Sequence, residues 1–120
     1  MTEQRREAVE PVSNVLSALA DPTRRQLLDL LATQGEVTAT TLAERLPVSR
    51  QAVVKHLAVL DAAGLVSGSR VGREVRYAVQ PAALNATAQW MTKLASDWDR
   101  RLATVKRIAE EAEEAERDSR

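Results

Sequence analysis

The sequence contains no cysteine and only one histidine, and these two shortages exclude most metal and nucleophile chemistry. Without thiols the chain forms neither disulfides nor thiolate metal sites, and a single imidazole cannot build a metal centre or a catalytic triad within one chain. The four glycines are scattered, and they form no loop of the kind that cradles phosphate groups. The sequence therefore gives no support for an enzyme, a metal site or a bound cofactor.

Long apolar runs are also missing. No stretch approaches the roughly 18 apolar residues of a membrane span, and the first residues, MTEQRREAVEPVSN, lack the apolar core of a signal sequence. We therefore expect a soluble, cytoplasmic protein. Its 120 residues suffice for one domain, which at this size buries roughly two thirds of the surface of its unfolded chain.

Charge is balanced over the whole chain, with 17 basic and 17 acidic side chains, but it is unevenly distributed. Between Ser49 and Tyr77 the net charge is +3, whereas from Lys106 to the end of the chain it is −2. A basic segment beside an acidic tail suits a small DNA-binding protein, although an ordinary solvated surface has the same composition.

The chain begins with a stretch of weak helix signals. Residues 1–10 are expected to be flexible, and Pro11 suits the first turn of a helix that ends near Ala20. The apolar residues of this helix repeat at helical spacing, and they are Val12, Val15, Leu16 and Leu19.

A second helix is bounded by Asp21 as its N-cap and by Gly35 as its stop signal. Its leucines, Leu27, Leu28, Leu30 and Leu31, predict a buried core helix. Arg24 and Arg25 lie at the start of this helix, where a positive charge is unfavourable because of the helix dipole. We expect an anionic partner or a nearby acid such as Asp29 to compensate the charge, or the guanidinium groups to be solvated with their stems packed on the helix.

The middle of the chain predicts a helix-turn-helix. Thr38 caps a short helix that runs through Leu46, and only residues 47–48 separate it from the next N-cap, Ser49. The following helix ends at Gly64. Two short helices joined this closely are typical of the motif, although many helical cores contain such a corner.

The helix from Ser49 to Gly64 has two different faces. Val53, Leu57 and Leu60 repeat at helical spacing and face a core. The other face holds Arg50, Gln51, Val54, Lys55 and Ala58. Long hydrogen-bonding side chains beside an apolar one suit the major groove of DNA, where they meet base edges and thymine methyl groups.

Two short strands follow, residues 65–70 and 74–79, turned at Val71-Gly72-Arg73. A hairpin directly after a recognition helix is a wing, and it places three arginines close to the turn, Arg70, Arg73 and Arg76. These arginines are positioned to contact phosphates or the minor groove, although charge also protects the edges of any exposed hairpin.

Pro81 opens a last helix that is predicted to run to about Glu114, with residues 106–120 as a charged helical tail that frays at its end. Its apolar residues step by four and three over four heptads, which indicates a helical partner. That partner is either the first helix of the same chain or a second copy. We favour a dimer through the terminal helices, with the two tryptophans as interface core and with interface residues Val15, Leu19, Leu84, Met91, Leu94, Trp98 and Leu102.

Three segments together resemble the ArsR family of bacterial winged-helix regulators. They are LADPTRRQLLDLLA (19–32), LAERLPVSRQAVVKHLAVLDAAGLV (42–66) and GREVRY (72–77). The resemblance spans about residues 12–102. It implies a mainly α fold with a small β-hairpin. The winged helix-turn-helix would occupy residues 11–105, with four helices before the hairpin and one after it. The resemblance also implies dimerisation through the terminal helices.

The resemblance also implies a homodimeric repressor of a DNA operator with dyad symmetry. By position, the DNA-reading helix then includes Ser49, Arg50, Gln51, Val54, Lys55 and His56, and Arg73 lies at the wing tip. The family commonly has serine at the position of Val54, and this change predicts altered specificity rather than lost binding.

Metal-sensing members of the family carry cysteines in the third helix or histidine and aspartate ligands in the last one. Here Thr40 and Thr41 stand at the first of these places, and Asp97 and Asp99 lack a histidine partner at the second. The lone His56 is interpreted as a packing or phosphate-contact residue. The chain resembles a member without metal sensing, and no residue set indicates a small-molecule effector.

Two functions remain: a dimeric DNA-binding repressor, or a winged-helix module that binds another protein and no longer an operator. The face of the fourth helix distinguishes them. A module that had lost DNA binding is expected to gain acids at Arg50, Gln51 and Lys55, and none is present.

Overall fold

The computed structural model describes residues 2–119 of the chain. Two compact units are found, Met1–Thr87 and Ala88–Arg120. In chain order the elements of the described part are α1 (Thr2–Leu19), α2 (Pro22–Gln34), β1 (Val37–Thr38), α3 (Ala39–Arg45), α4 (Arg50–Ala62), β2 (Val66–Val71), β3 (Glu74–Val79) and α5 (Ala82–Asp118). The mainly α winged helix-turn-helix fold is confirmed.

Helix α1 is longer than predicted. It begins at Thr2 and contains Pro11 in its interior, so the predicted start at Pro11 was wrong. Proline lacks an N–H donor, so it is common in the first turn of a helix and rare in its interior. The start of α1 was therefore predicted at Pro11, which is too late. The flexibility of residues 1–10 stays a prediction.

Helix α2 has both predicted boundaries. The Asp21 carboxylate accepts hydrogen bonds from the amides of Thr23 at 2.7 Å and Arg24 at 3.3 Å, which satisfies two of the free donors of the first turn. At the other end Gly35 has φ +83°, and its amide donates to the carbonyl of Leu31 at 2.9 Å.

The helix-turn-helix is also capped as predicted. The hydroxyl of Thr38 accepts from the amide of Thr41 at 3.2 Å, and that of Ser49 accepts from the amide of Ala52 at 3.1 Å. Helix α4 ends in a Schellman motif. Gly64 has φ +77°, and the amide of Leu65 reaches back to the carbonyl of Leu60 at 2.9 Å.

The hairpin belongs to a three-stranded antiparallel sheet of order β1-β3-β2. Strand β1 was not predicted, and it pairs Val37 with Tyr77. The first hairpin strand both begins and ends one residue later than predicted. It ends later because Val71 pairs with Glu74, which leaves a two-residue turn. Gly72 opens that turn with φ +66°, which suits a hairpin turn with glycine in its first position.

A core of leucine and valine side chains joins these elements. Its fully buried members come from α1, α2, α3, α4 and the start of the hairpin, and they are Val15, Leu27, Leu31, Leu42, Val53, Leu57, Leu60, Leu65 and Val66. Each such burial stabilises the fold by about 1.5–3 kcal/mol. Because three of them belong to α4, the core fixes which face of that helix remains in water.

Helix α5 is 37 residues long and continues beyond the predicted end at Glu114. The fraying of its charged end stays a prediction. Opposite charges one turn apart pair there, with Lys106 4.0 Å from Glu110 and Arg107 3.9 Å from Glu111. Such exposed pairs each stabilise a helix by about 0.3–0.5 kcal/mol.

Candidate nucleic-acid interface

The outer face of α4 is exposed as the sequence predicts. Val53, Leu57 and Leu60 are each 0% exposed, and the opposite face presents Arg50, Gln51, Val54, Lys55 and Ala58. Ser49 lies at the exposed start of the helix with its hydroxyl engaged as the N-cap. The first turns of α4 therefore present guanidinium, amide and ammonium groups to the solvent, while the inner face of the helix is packed in the core.

A groove of about 560 Å³ runs between the two helices of the helix-turn-helix and the hairpin. Arg50 and Val54 of α4 line one side, the hairpin residues Arg73, Glu74 and Val75 line the other, and residues 38–41 at the start of α3 close the end. The structure thus brings a predicted reading residue and the predicted wing-tip arginine to one surface. Val54 is 40% exposed there, so its methyl groups are available for apolar contact.

The side chain of Arg50 is held within this groove. Its Nε donates a hydrogen bond to Oγ1 of Thr40 at 3.2 Å. Thr40 is an exposed residue of the first turn of α3. In the sequence Thr40 is noted only at the position of an absent metal ligand, and its contact with Arg50 was not predicted.

The three hairpin arginines do not form one cluster. Side chains alternate between the faces of a strand, and the pairing of Arg70 with Val75 and of Ser69 with Arg76 therefore places the two arginines on opposite faces. Arg70 and Arg76 flank the turn as predicted but on different faces of the hairpin, and their contact with DNA stays a prediction. Arg76 is half-buried in the central strand and lies 3.5 Å from the carboxylate of Glu74, whereas Arg70 and Arg73 are exposed.

His56 is directed toward α2 rather than the outer face. The residue is half-buried, and its Nδ1 lies 3.5 Å from Nη1 of Arg24. The packing interpretation is favoured by this contact, and we leave His56 out of the DNA-contacting set. Arg24 was the unexplained arginine of the sequence, and the geometry shows what its side chain does.

Arg24 satisfies the end of α1. Its Nε donates to the carbonyl of Ala18 at 2.7 Å, and its Nη2 donates to the carbonyl of Ser17 at 3.2 Å. Arg25 contributes a further bond to the carbonyl of Leu19 at 2.6 Å. The last carbonyls of a helix lack partners within the helix. Both arginines therefore cap the C-terminal end of α1 by donating hydrogen bonds to these carbonyls.

The carboxyl of Asp21 lies beside this cluster. Partial burial acts to raise the pKa of Asp21, but amide hydrogen bonds from Arg24 and Thr23 and the neighbouring positive charges of Arg24 and His56 outweigh it and lower the pKa from its ordinary value. The ionised form is thus favoured in the folded protein.

The predicted dimer-interface residues fall into two groups. Leu84, Met91, Trp98 and Leu102 are exposed within the single chain, and Leu94 is half-buried. Val15 is 1% exposed and lies in the core, so its assignment to an interface was wrong because its surface is already covered. Leu19 is half-buried and packs against that same core.

Other kinds of site are not seen in the part of the chain that the structure describes. Among the side chains of residues 10–119 no three potential metal ligands of the His, Cys, Asp or Glu type lie close enough together to hold an ion. No helix in that range is long and apolar enough to cross a membrane.

Known proteins resemble this arrangement. A family model described as a helix-turn-helix domain matches residues 19–68. The transcriptional repressor SdpR of Bacillus subtilis strain 168 is 34% identical over 88 residues, which cover 73% of this chain and 97% of SdpR. A solved ArsR-like transcriptional regulator from Rhodococcus sp. RHA1 is 46% identical, with a TM-score of 0.77, over 84% of this chain and 94% of that one.

The chain belongs to the ArsR family of winged helix-turn-helix transcriptional regulators. A further neighbour, from Mycobacterium bovis and described as a possible ArsR-family regulator, was solved as a homodimeric winged helix-turn-helix DNA-binding domain. It is 26% identical, with a TM-score of 0.64, over 81% of this chain and 88% of that one. The resemblance noted from the three sequence segments is confirmed.

Proposed function

We propose that this ArsR-family protein is a homodimeric transcriptional repressor that acts in the cytoplasm on an operator with dyad symmetry. The reading helix is α4, and the hairpin tip provides an additional contact to the same duplex. The residues proposed to contact DNA are Ser49, Arg50, Gln51, Val54, Lys55, Arg70 and Arg73.

The groove between α4 and the hairpin is the observation that carries this proposal. Arg50 and Arg73 line it from different elements, and no ion pair of either arginine is found among the described side chains of residues 10–119. Glu74 also lines the groove, but its carboxylate lies 3.5 Å from Arg76. The two guanidinium groups therefore suit the negatively charged DNA backbone and the acceptors of guanine in the major groove.

The exposed seam of α5 supports self-association. Trp98 is 58% exposed and Leu102 is 67% exposed. Large apolar side chains in a row are typical of an interface rather than of a solvated helix. A two-fold dimer presents two copies of α4, which is what a dyad-symmetric operator requires.

Selection of bound fragments from the source genome, followed by footprinting, tests the function. We expect a protected site with two inverted half-sites. If a dimer makes roughly 6–10 phosphate contacts, affinity should fall by about 10³ to 10⁵ between 50 and 200 mM salt. Absence of any enriched fragment together with a flat salt profile would instead support the protein-binding module.

The roles of the two surfaces can be separated by mutation. Gln51→Ala is expected to relax base preference at one position of each half-site, because the amide reads base edges. Arg73→Ala is expected to weaken binding to all sequences alike, because the wing tip contacts phosphates. Lys93→Ala on α5 is the control and should leave both properties unchanged. If Gln51→Ala and Arg73→Ala act identically on every sequence, this assignment of roles is wrong.

A further inference from the structure

The start of α3 is tied to the start of α4 by one side-chain contact. Arg50 is the first residue of α4, and its Nε donates to the hydroxyl oxygen of Thr40, which lies in the first turn of α3. Both side chains line the same groove. The bond therefore fixes a long side chain at the place where the two helices of the motif open toward the hairpin.

Arg50 has no electrostatic reason to stay in this position in the free protein. A cation in the first turn opposes the helix dipole, and no carboxylate forms an ion pair with Arg50 in the described residues. The neutral hydroxyl of Thr40 is the partner that orders it. Because Nε is the bonded atom, the two terminal amino groups remain free, and the free edge of the guanidinium is what binds guanine in the major groove.

We propose that Thr40 is a positioning residue for DNA reading: its hydroxyl holds the Arg50 guanidinium in the orientation that sets base preference. This inference rests on the proposed function. An unbound arginine loses rotamer freedom when it is fixed, and an arginine that is already ordered loses less on binding. Thr40 thus raises affinity for the preferred base without contacting it.

A direct contact between the Thr40 hydroxyl and a DNA phosphate is the competing explanation. Phosphate contacts carry no sequence information, so their loss weakens binding to every sequence and lowers the salt dependence. Loss of a positioning contact has a different signature. It weakens binding to the preferred operator, flattens base preference at the position that Arg50 reads, and leaves non-specific binding and the salt slope unchanged.

The experiment compares Thr40→Val, which keeps the shape but removes the acceptor, with Thr40→Ser, which restores it. Thr33→Val is the matched control, because Thr33 lies on α2 and its hydroxyl bonds only within that helix, to the carbonyl of Asp29 at 2.8 Å. Dissociation constants are measured for the selected operator, for its single-base-pair variants and for unrelated DNA. Circular dichroism at the same concentrations establishes that each variant is folded.

We expect Thr40→Val to weaken operator binding by about three- to tenfold, because Arg50 must then be ordered when DNA binds. Thr40→Ser and Thr33→Val should match the wild type. Arg50→Ala and Arg50→Ala with Thr40→Val should bind equally, because without the arginine the hydroxyl has nothing to position.

An equal loss on all DNA, or a further loss when Thr40→Val is added to Arg50→Ala, would overturn the proposal in favour of direct contact. Unchanged operator binding by Thr40→Val would also overturn it. These outcomes are distinct from a failure of the proposed function, in which the wild type itself selects no operator.

Discussion

Arg24 should contribute more to stability than any other charged side chain in the described structure. It is largely enclosed, with 17% of its side chain exposed, and it donates to two carbonyls at the end of α1. Its contact with Nδ1 of His56 adds α4 to the same cluster. Replacing Arg24 with methionine keeps an unbranched apolar side chain of similar reach but removes every donor.

The magnitude follows from the bonds lost. A hydrogen bond from a charged donor contributes about 1.5–3 kcal/mol, and the solvent-screened ion pair with Asp21 adds little. Water can reach part of the exposed end of α1 and replace some of these contacts. We therefore expect Arg24→Met to lower the free energy of unfolding by about 2–4 kcal/mol, a large part of the stability of a domain of this size.

Urea unfolding followed by circular dichroism measures this loss. Protein concentration must be held fixed, because dimer dissociation changes the apparent stability. Arg25→Met is the matched control: it removes one bond, to the carbonyl of Leu19, from an exposed side chain, and it should cost about 1 kcal/mol or less. Equal losses for the two variants, or a loss below about 0.5 kcal/mol for Arg24→Met, would refute the reasoning.

Three other perturbations test different parts of the molecule. Trp98→Ala should raise the dimer dissociation constant by at least about thirtyfold, as expected for a tryptophan at an interface centre, and sedimentation should show a shift to monomer that Lys93→Ala does not cause. Leu60→Ala should destabilise the fold by about 2–5 kcal/mol in urea unfolding, whereas the exposed Val59→Ala should stay within about 0.5 kcal/mol of the wild type. Because the folded pKa of Asp21 is lowered, its ionised form stabilises the protein above the ordinary value of 3.8, and this stabilisation is lost as the pH falls through the lowered pKa. The stability difference between wild type and Asp21→Asn should therefore shrink as the pH falls through this pKa, and a difference that is the same at about pH 2 as at about pH 7 would contradict the linkage.

Features that depend on neighbouring residues in the chain were predictable. Helix caps such as Asp21 and Ser49 act over three residues, so the sequence shows them directly. The exposed face of α4 follows from a helical period, and the hairpin follows from glycine at its turn. These local signals were enough to predict the reading helix and the hairpin of the candidate interface.

Features that depend on distant partners were not predictable. Strand β1 has two residues, too few for an alternating pattern, and it exists because β3 lies beside it. The interface assignment of Val15 was wrong because one apolar stripe on α1 suits either a core or a partner chain. The bond between Thr40 and Arg50 spans ten positions of sequence, and no local rule pairs a threonine with an arginine at that separation.

The contacts around α4 explain how a small domain can keep its DNA-reading helix in a fixed orientation. Its inner face lies in the core, the Thr40 hydroxyl holds Arg50 at its start, Arg24 contacts His56 on its side, and a Schellman motif closes its end at Gly64. Each of these hydrogen bonds contributes only about 1 kcal/mol. Placed at the start, the side and the end of one helix, they oppose tilting and rotation in different directions. A helix held in this way loses little freedom when it binds a rigid partner, so a larger share of its contact energy is expressed as affinity and base selectivity.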